Sequence, residues 1–214
     1  MRIKNKNVLI TAGPTREYID PVRYISNGSS GKMGYALANE AKKRRADVIL
    51  ISGPTNIPQP KNIKFINVVS ALEMFKEVKK YFKKCDIFIS CAAVCDYRPE
   101  NFAAKKIKKT GRAISLKLVP NPDILLLLSK SLSRRVAKPP IIVGFALETD
   151  NLVRNALLKL KKKNLEMIVA NKPEAMESDE TSGALITPKG IKHFSKISKK
   201  RLAGIILDEI SALQ

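Results

Sequence analysis

The chain has no tryptophan, a single histidine and only three cysteines among its 214 residues. The cysteines, Cys85, Cys91 and Cys95, do not have the CxxC spacing of a zinc or redox dithiol site, and one histidine cannot complete a His/Cys metal cluster. We therefore expect buried, reduced thiols. His193 has no partner cluster and receives no role, and a Ser-His-Asp set cannot be assembled.

Long hydrophobic runs are also missing. No apolar stretch approaches the ~20 residues needed to span a bilayer, and the N-terminal apolar run is too short for a signal peptide. The sequence predicts a cytoplasmic protein without a membrane segment.

Acidic residues are scarce: 19 Asp and Glu against 40 Lys and Arg give a formal charge of +21. Such a charge attracts nucleic acid or anionic small molecules. The lysines are spread along the chain, in runs such as 161–163 and 199–201 that we expect to be solvated helix faces, and no basic stripe is interleaved with aromatics. We expect no nucleic-acid partner, although a nucleic-acid-binding domain stays open as an alternative.

Periodicity predicts an α/β fold. Buried strands are expected at 7–12, 47–51 and 86–93 with helices between them, and Ser70 is expected to cap the second of these helices. This β-α-β-α-β alternation is typical of a Rossmann-like, doubly wound, mostly parallel sheet. The later part of the chain adds predicted strands at 141–146 and 167–170, a helix at 150–163, a β-hairpin at 184–187 and 191–194, and a last helix capped by Ser198. We predict a single domain over residues 1–214.

A glycine-rich stretch at 23–38 follows the polar loop 16–29 and precedes a helix. Gly28, Gly31 and Gly34 permit close approach to the backbone, and a helix N-terminus behind them suits a phosphate or carboxylate. Spaced glycines also suggest an NAD oxidoreductase. Two features count against it: a long loop separates the glycines from the first strand, and no acidic residue follows the second strand.

Residues 94–112 have neither helical nor strand period and carry six basic residues. We interpret them as a basic, mobile flap over the carboxyl edge of the sheet. An exposed strand is expected at 114–119, and Asn121 is expected to cap a helix with Pro122 in its first turn. Amides and ammonium groups at one edge suit phosphoryl or nucleotidyl transfer, so the residues alone predict an anion- or nucleotide-binding enzyme.

Several segments, taken in order, resemble the phosphopantothenoylcysteine synthetase family: VLITAGPTREYIDPVRYISNGSSGKMG, CAAVCDYRP, KKIKK, LVPNPDIL, VGFALET and VAN. The resemblance implies a Rossmann-like, dimeric ligase that joins 4′-phosphopantothenate to L-cysteine through an acyl-nucleotide. CTP is the expected co-substrate, ATP is the alternative, and Mg²⁺ is the expected cofactor. The whole enzyme in many bacteria also carries a decarboxylase half, which makes a decarboxylase a possible partner.

The resemblance also implies roles for individual residues. Asn27 and Lys106 are implied in catalysis, with Lys106 carried by the flap. The implied nucleotide-binding residues are Asp96, Lys106, Asn121, Pro122, Asp123, Ile124, Phe145, Lys159 and Lys163. The implied substrate-binding residues are Asn27, Gly28, Ser29, Ser30, Gly31, Ala92, Ala93 and Asn171. No metal ligands are implied.

The sequence departs from the family pattern at three positions among or next to these residues. Cys95 stands where alanine is usual, Gly28 where a larger residue is common, and Lys172 where aspartate is usual. These differences affect ligand placement more than the reaction. Because the sequence starts at Met1, seven residues before the first strand, we expect either a stand-alone synthetase or an expressed domain.

Overall fold

The computed structural model describes residues 3–132, 138–176 and 178–213. Within them the helices are α1 Lys32–Lys43, α2 Ala71–Phe82, α3 Ile124–Ser131, α4 Leu152–Lys162 and α5 Lys199–Ala212, with a 3-10 turn at Pro173–Ala175. The strands are β1 Asn7–Ala12, β2 Arg16–Tyr18, β3 Tyr24–Ser26, β4 Asp47–Ser52, β5 Lys64–Asn67, β6 Ile87–Ser90, β7 Tyr97–Pro99, β8 Leu118–Pro120, β9 Ile141–Leu147, β10 Met167–Asn171, β11 Glu180–Thr187 and β12 Gly190–Ser198.

Eight strands form the central sheet in the order β12-β11-β10-β9-β6-β1-β4-β5. Neighbouring strands from β10 to β5 pair in parallel, whereas β11 pairs antiparallel with both β10 and β12. The predicted doubly wound, mostly parallel sheet with a C-terminal hairpin is confirmed. Two small antiparallel pairs, β2-β3 and β7-β8, lie outside this sheet.

Both faces of the sheet are covered by helices, and successive side chains of a strand pack against opposite faces. In β1, Val8 and Ile10 belong to a core shared with α1 and α5, while Leu9 belongs to a core shared with α2, α3 and α4. All three side chains are at most 1% exposed. Strands buried on both faces read as continuous apolar runs, which explains why NVLITA is so apolar.

The sheet has a switch point between β1 and β6, because the chain runs from β1 to β4 on one side and later returns to β6 on the other. Ligands bind at such points, beyond the carboxyl ends of the strands. Helix α1 packs closely above β1: a Cβ built on Gly34 would lie 2.5 Å from the Ala12 Cβ. The third glycine of the glycine-rich stretch therefore sets the position of the helix.

Gly34→Ala is expected to lower the free energy of unfolding by about 1–3 kcal/mol, since the added methyl group forces α1 away from β1. This loss outweighs the gain of up to ~1 kcal/mol that alanine brings to a helix interior. Urea denaturation measures the change.

Gly204→Ala in α5 is the matched control for that substitution. The nearest atom to its added Cβ, the Arg44 Nη2, is an ordinary 3.5 Å away. This variant is expected to gain about 0.5–1 kcal/mol. Equal stabilities of the two alanine variants would contradict the close packing of α1 on β1.

Two expectations about segments outside the central sheet were wrong. The polar loop 16–29 contains the β2-β3 hairpin, in which the Arg16 guanidinium lies 4.6 Å from the centre of the Tyr24 ring. The predicted strand 114–119 is replaced by the three residues of β8, which pair with β7 inside the predicted flap. Strand β5 was not predicted at all.

The start of α3 also differs from the prediction. Asp123, not Asn121, is the N-cap, and its side chain accepts a hydrogen bond from the Leu126 N–H at 3.1 Å. Pro122 therefore precedes the cap instead of occupying the first turn. Ser198 and Ser70 do cap α5 and α2, as predicted.

Candidate active site

A cavity of about 440 Å³ lies at the switch point, between the N-terminus of α1 and the carboxyl ends of β6, β9 and β10. Most of the site residues implied by the sequence line this one cavity. They are Asn27, Gly28, Ser29, Ser30, Gly31, Ala92, Ala93, Asp96, Phe145, Lys159 and Asn171. Residues from six separate segments of the chain are thus brought together around one volume.

The glycine-rich stretch forms one wall of the cavity. Gly31 adopts a left-handed conformation at φ 79° and is the N-cap of α1, where no side chain accepts a hydrogen bond from the first turn. The unpaired N–H groups and the positive end of the helix dipole therefore favour an anion here. Asn27 is held by a hydrogen bond from its Nδ2 to the Ala93 carbonyl oxygen at 3.0 Å.

The floor of the cavity is the segment that follows β6. The Ala93 N–H donates to the Gly13 carbonyl at 2.9 Å, and the Ala92 N–H donates to the Thr11 hydroxyl at 3.3 Å. The predicted strand 86–93 stops at Ser90, because the chain leaves the sheet there to form this floor. Two alanines in succession leave the space above the floor free for a ligand.

Lys159 enters the cavity from α4, and its ammonium group donates to the Phe145 carbonyl oxygen at 3.0 Å. Burial, together with the nearby charge of Lys163, lowers the pKa of Lys159. An anionic group in the cavity would offset both effects. Lys163 lies further out and pairs with the α3 cap, with its Nζ 2.7 Å from an Asp123 carboxylate oxygen.

The predicted nucleotide-binding turn 121–124 does not line the cavity. Asn121 instead fixes the segment that carries Asp96: its Nδ2 donates to the Cys95 carbonyl at 2.9 Å and its N–H to the Asp96 carbonyl at 2.7 Å. Ile124 is 6% exposed and packs in the apolar core. These contacts assign the turn a positioning role, and direct nucleotide contacts from Asn121, Pro122, Asp123 and Ile124 stay predictions.

Lys106 is exposed in the flap and does not line the cavity. The flap is nevertheless attached next to it. The Ile107 N–H donates to the Asp20 carboxylate at 3.1 Å, and the Ile107 carbonyl accepts from the Arg23 guanidinium at 2.9 Å. These hydrogen bonds between Ile107, Asp20 and Arg23, here called the anchor, join the flap to the loop that leads into the glycine-rich stretch.

Asp20 was missed in the sequence. It is fully buried and accepts hydrogen bonds from the backbone of Val22 and Arg23, both at 2.9 Å, and from the Arg23 guanidinium. The Arg23 hydrogen bond is the main cause that holds the pKa of Asp20 well below its usual range, with the backbone N–H groups adding to it against the effect of burial. An aspartate in a polar loop is too common in sequences to indicate that it attaches a distant segment.

Asp20→Asn is expected to destabilise the protein at neutral pH but not in acid. Because the folded pKa of Asp20 is depressed, its contribution is present above the ordinary aspartate pKa of about 3.9 and is lost as the pH falls through the lower folded value. Thermal unfolding from pH 7 to pH 2 should show a constant gap between variant and wild type above about pH 5 that narrows in acid.

The control for this prediction is Asp208→Asn, since the Asp208 side chain pairs with Arg44 but is 69% exposed. It should change the melting temperature little at any pH. If Asp20→Asn unfolded at the wild-type temperature at neutral pH, the anchor would contribute nothing to the stability of the protein.

Among the cavity-lining residues that were not predicted, Lys199 and Thr181 are buried and polar. Lys199 was expected to lie on a solvated helix face with its neighbours, but it is only 8% exposed because the first turn of α5 docks over the cavity. Its ammonium group donates to the Met176 carbonyl at 3.2 Å, and the Ser30 hydroxyl donates to the same carbonyl at 2.9 Å.

The cysteines are free thiols, as predicted, but Cys85 and Cys91 are not fully buried. Cys91 lines the cavity, and burial raises its pKa to about 12, so that it is protonated at neutral pH. Cys95 is buried and its Sγ donates to the Thr15 carbonyl. A nucleophilic thiolate mechanism finds no support in these environments.

Within residues 3–132, 138–176 and 178–213, no group of three or more His, Cys, Asp or Glu side chains could hold a metal ion. In the same part of the chain, no helix is long and apolar enough to span a bilayer.

Fold and cavity together define a Rossmann-like α/β protein with a cavity at the switch point of its sheet whose lining favours an anion. The family described as DNA/pantothenate metabolism flavoprotein C-terminal domain matches residues 3–213, and the chain belongs to this family.

Relatives and solved structures agree with this assignment. The chain is 48% identical over 211 residues to the coenzyme A biosynthesis bifunctional protein CoaBC of Haemophilus influenzae, covering 97% of this chain and 52% of the relative. It is 43% identical to the Escherichia coli CoaBC over 215 residues, with 97% and 52% covered. The chain therefore spans about half the length of the curated relatives that it matches.

A solved structure of the C-terminal domain of a CoaBC protein has a TM-score of 0.83 and 36% identity, covering 99% of this chain and 97% of that one. This match supports the same fold over essentially the whole chain.

Proposed function

We propose that the chain is a phosphopantothenate–cysteine ligase of coenzyme A biosynthesis. The observation that carries the proposal is the cavity itself. In a chain 48% identical to a CoaBC protein, it combines an uncapped helix N-terminus, the Asn27 amide, a small-residue floor and the Lys159 ammonium group. These groups suit two phosphorylated ligands and the negative charge that develops between them.

In the first step we propose that a carboxylate oxygen of 4′-phosphopantothenate attacks the α-phosphorus of CTP. The bond between the α-phosphorus and the bridging oxygen breaks, and pyrophosphate leaves with the electron pair. Asn27 holds the pantothenate near the floor at Ala92 and Ala93. Lys159 and Lys106 neutralise charge on the phosphates, and the flap excludes water from the acyl-cytidylate.

In the second step the amino nitrogen of L-cysteine attacks the acyl carbon. The carbon–oxygen bond to CMP breaks, CMP leaves with the electron pair, and the nitrogen loses a proton to water. The positive charges that assisted the departure of pyrophosphate also stabilise the oxyanion formed at the acyl carbon. ATP could replace CTP in the same scheme.

Mg²⁺ fits this site as a partner of the nucleotide. It is commonly bound through one or two carboxylates together with substrate phosphates, so no protein cage is needed. Asp96 is a carboxylate that lines the cavity and would be its protein ligand. When bound, the ion would neutralise triphosphate charge.

We also propose that the protein forms a homodimer in the cytoplasm. The two small sheets expose large side chains, with Tyr97 55%, Leu118 43% and Tyr24 41% exposed. Covering these side chains with a second copy would remove apolar surface from water. Light scattering should give twice the 23.8 kDa mass of one chain, and the mass of a single chain at micromolar concentration would contradict the dimer.

A decarboxylase partner would show as a shift to a higher mass when the two proteins are mixed.

The test of the proposed reaction is a product assay with CTP and ATP in parallel. We expect phosphopantothenoylcysteine and a nucleoside monophosphate to form in equal amounts, only when phosphopantothenate, cysteine, Mg²⁺ and a triphosphate are all present. Absence of product with either triphosphate would contradict the proposal.

A further inference from the structure

Two buried polar side chains on the α5 side of the cavity have no role in the proposed reaction. Thr181 is 5% exposed, and its hydroxyl oxygen has no hydrogen-bond partner among the residues that the structure describes. Lys199 is 8% exposed, and among the described residues the one hydrogen bond of its ammonium group goes to the Met176 carbonyl. Buried polar groups normally find partners, so these two predict a ligand.

The electrostatics of this wall favour an anion. Lys32 lies close enough to Lys199 that its charge adds to burial in lowering the Lys199 pKa. The Asp179 carboxylate lies 2.6 Å from the Lys32 ammonium, but its side chain is 83% exposed. Water therefore weakens the effect of this carboxylate, so that, among the residues that the structure describes, the two ammonium groups share a wall with little enclosed negative charge.

The backbone adds to this charge. Lys32 is the first residue of α1, whose N-terminus lacks a side-chain cap and borders the same cavity. Two ammonium groups, one hydroxyl donor and the N–H groups of the first turn would together supply the donors that a phosphate dianion needs.

We propose that Lys199, Lys32 and the Thr181 hydroxyl form a phosphate-binding subsite. It is separate from the basic groups around Lys159, because α5 and α4 pack on opposite faces of the sheet. The ligand is a terminal phosphate, either the 4′-phosphate of phosphopantothenate or the outer phosphates of the nucleotide. This identification of the ligand rests on the proposed function.

The test is calorimetric titration of Lys199→Met with four ligands: phosphopantothenate, pantothenate, CTP and CMP. Methionine keeps the length and apolar stem of lysine without its charge. We expect the affinity for one phosphorylated ligand to fall at least tenfold, while its counterpart without the terminal phosphates stays within twofold. A loss for phosphopantothenate but not pantothenate assigns the 4′-phosphate, and a loss for CTP but not CMP assigns the nucleotide.

Three further variants distinguish a specific loss of phosphate binding from misfolding and from a general loss of positive charge. Lys200→Met changes an exposed neighbour and should bind every ligand like the wild type. Thr181→Val keeps the shape of the side chain and should weaken the same ligand threefold or more. Lys199→Arg should restore part of the affinity.

The outcomes distinguish the two proposals. If wild type binds the phosphorylated ligands and both Lys199→Met and Thr181→Val match it within twofold, the subsite is overturned and the proposed function stands. If wild type binds neither phosphopantothenate nor CTP, the proposed function and the subsite are both overturned.

Discussion

Lys106→Ala is expected to lower the rate of product formation by about 10²–10³-fold, the usual cost of removing one donor that stabilises a developing anion. In the free protein Lys106 is exposed on the flap and lies outside the cavity lining, so its contribution arises only when the flap covers bound ligands. CTP should therefore still bind to the variant. Rapid-quench kinetics and CTP titration measure the two quantities separately.

Lys105→Ala is the matched control, since Lys105 precedes Lys106 in the flap and is also exposed. It should retain product formation within about threefold, because screened surface charges contribute little. An equal loss in both variants would mean that the general charge of the flap, and not the Lys106 ammonium group, assists the reaction. Full activity of Lys106→Ala would remove that lysine from the mechanism.

Asn27→Asp is expected to weaken phosphopantothenate binding by about 100-fold. The amide Nδ2 donates to the Ala93 carbonyl at 3.0 Å, and a carboxylate cannot make that bond. The new charge would also face the phosphate and carboxylate of the substrate, where repulsion of ~3 kcal/mol corresponds to a loss of about 10²-fold. Calorimetry with phosphopantothenate measures the effect.

Asn39→Asp makes the same chemical change on the exposed surface of α1. It should leave phosphopantothenate affinity unchanged within about twofold, because exposed charges are screened by salt. Unchanged affinity in Asn27→Asp would place the pantothenate elsewhere in the cavity.

The sequence predicts most of the central sheet and most of the cavity because their signals are local. Apolar strands, the capping serines Ser70 and Ser198, and the glycines before α1 each act within a few residues of themselves. Once the parallel sheet is inferred, the carboxyl ends of its strands must share an edge, which brings Asn27 and Asn171 together.

Roles that depend on distant contacts could not be predicted in this way. The role of Asp20 in attaching the flap depends on Ile107, 87 residues away, which donates to its carboxylate. Lys199 reads as one of three basic residues at a helix start, and its burial depends on how α5 docks against α1. The strand expected at 114–119 is a feature that was predicted but does not form at that length. Its alternating pattern is present in the sequence, but its partner strand has only three residues.

Exchange of labelled pyrophosphate into CTP tests the central claim most directly, because it reports reversible formation of the acyl-cytidylate in the cavity. We expect exchange that requires phosphopantothenate and Mg²⁺, proceeds without cysteine, and is lost in Asn27→Asp but not in Asn39→Asp. Exchange without phosphopantothenate, or product formation by a protein that supports no exchange, would contradict the acyl-nucleotide route and the role assigned to this cavity.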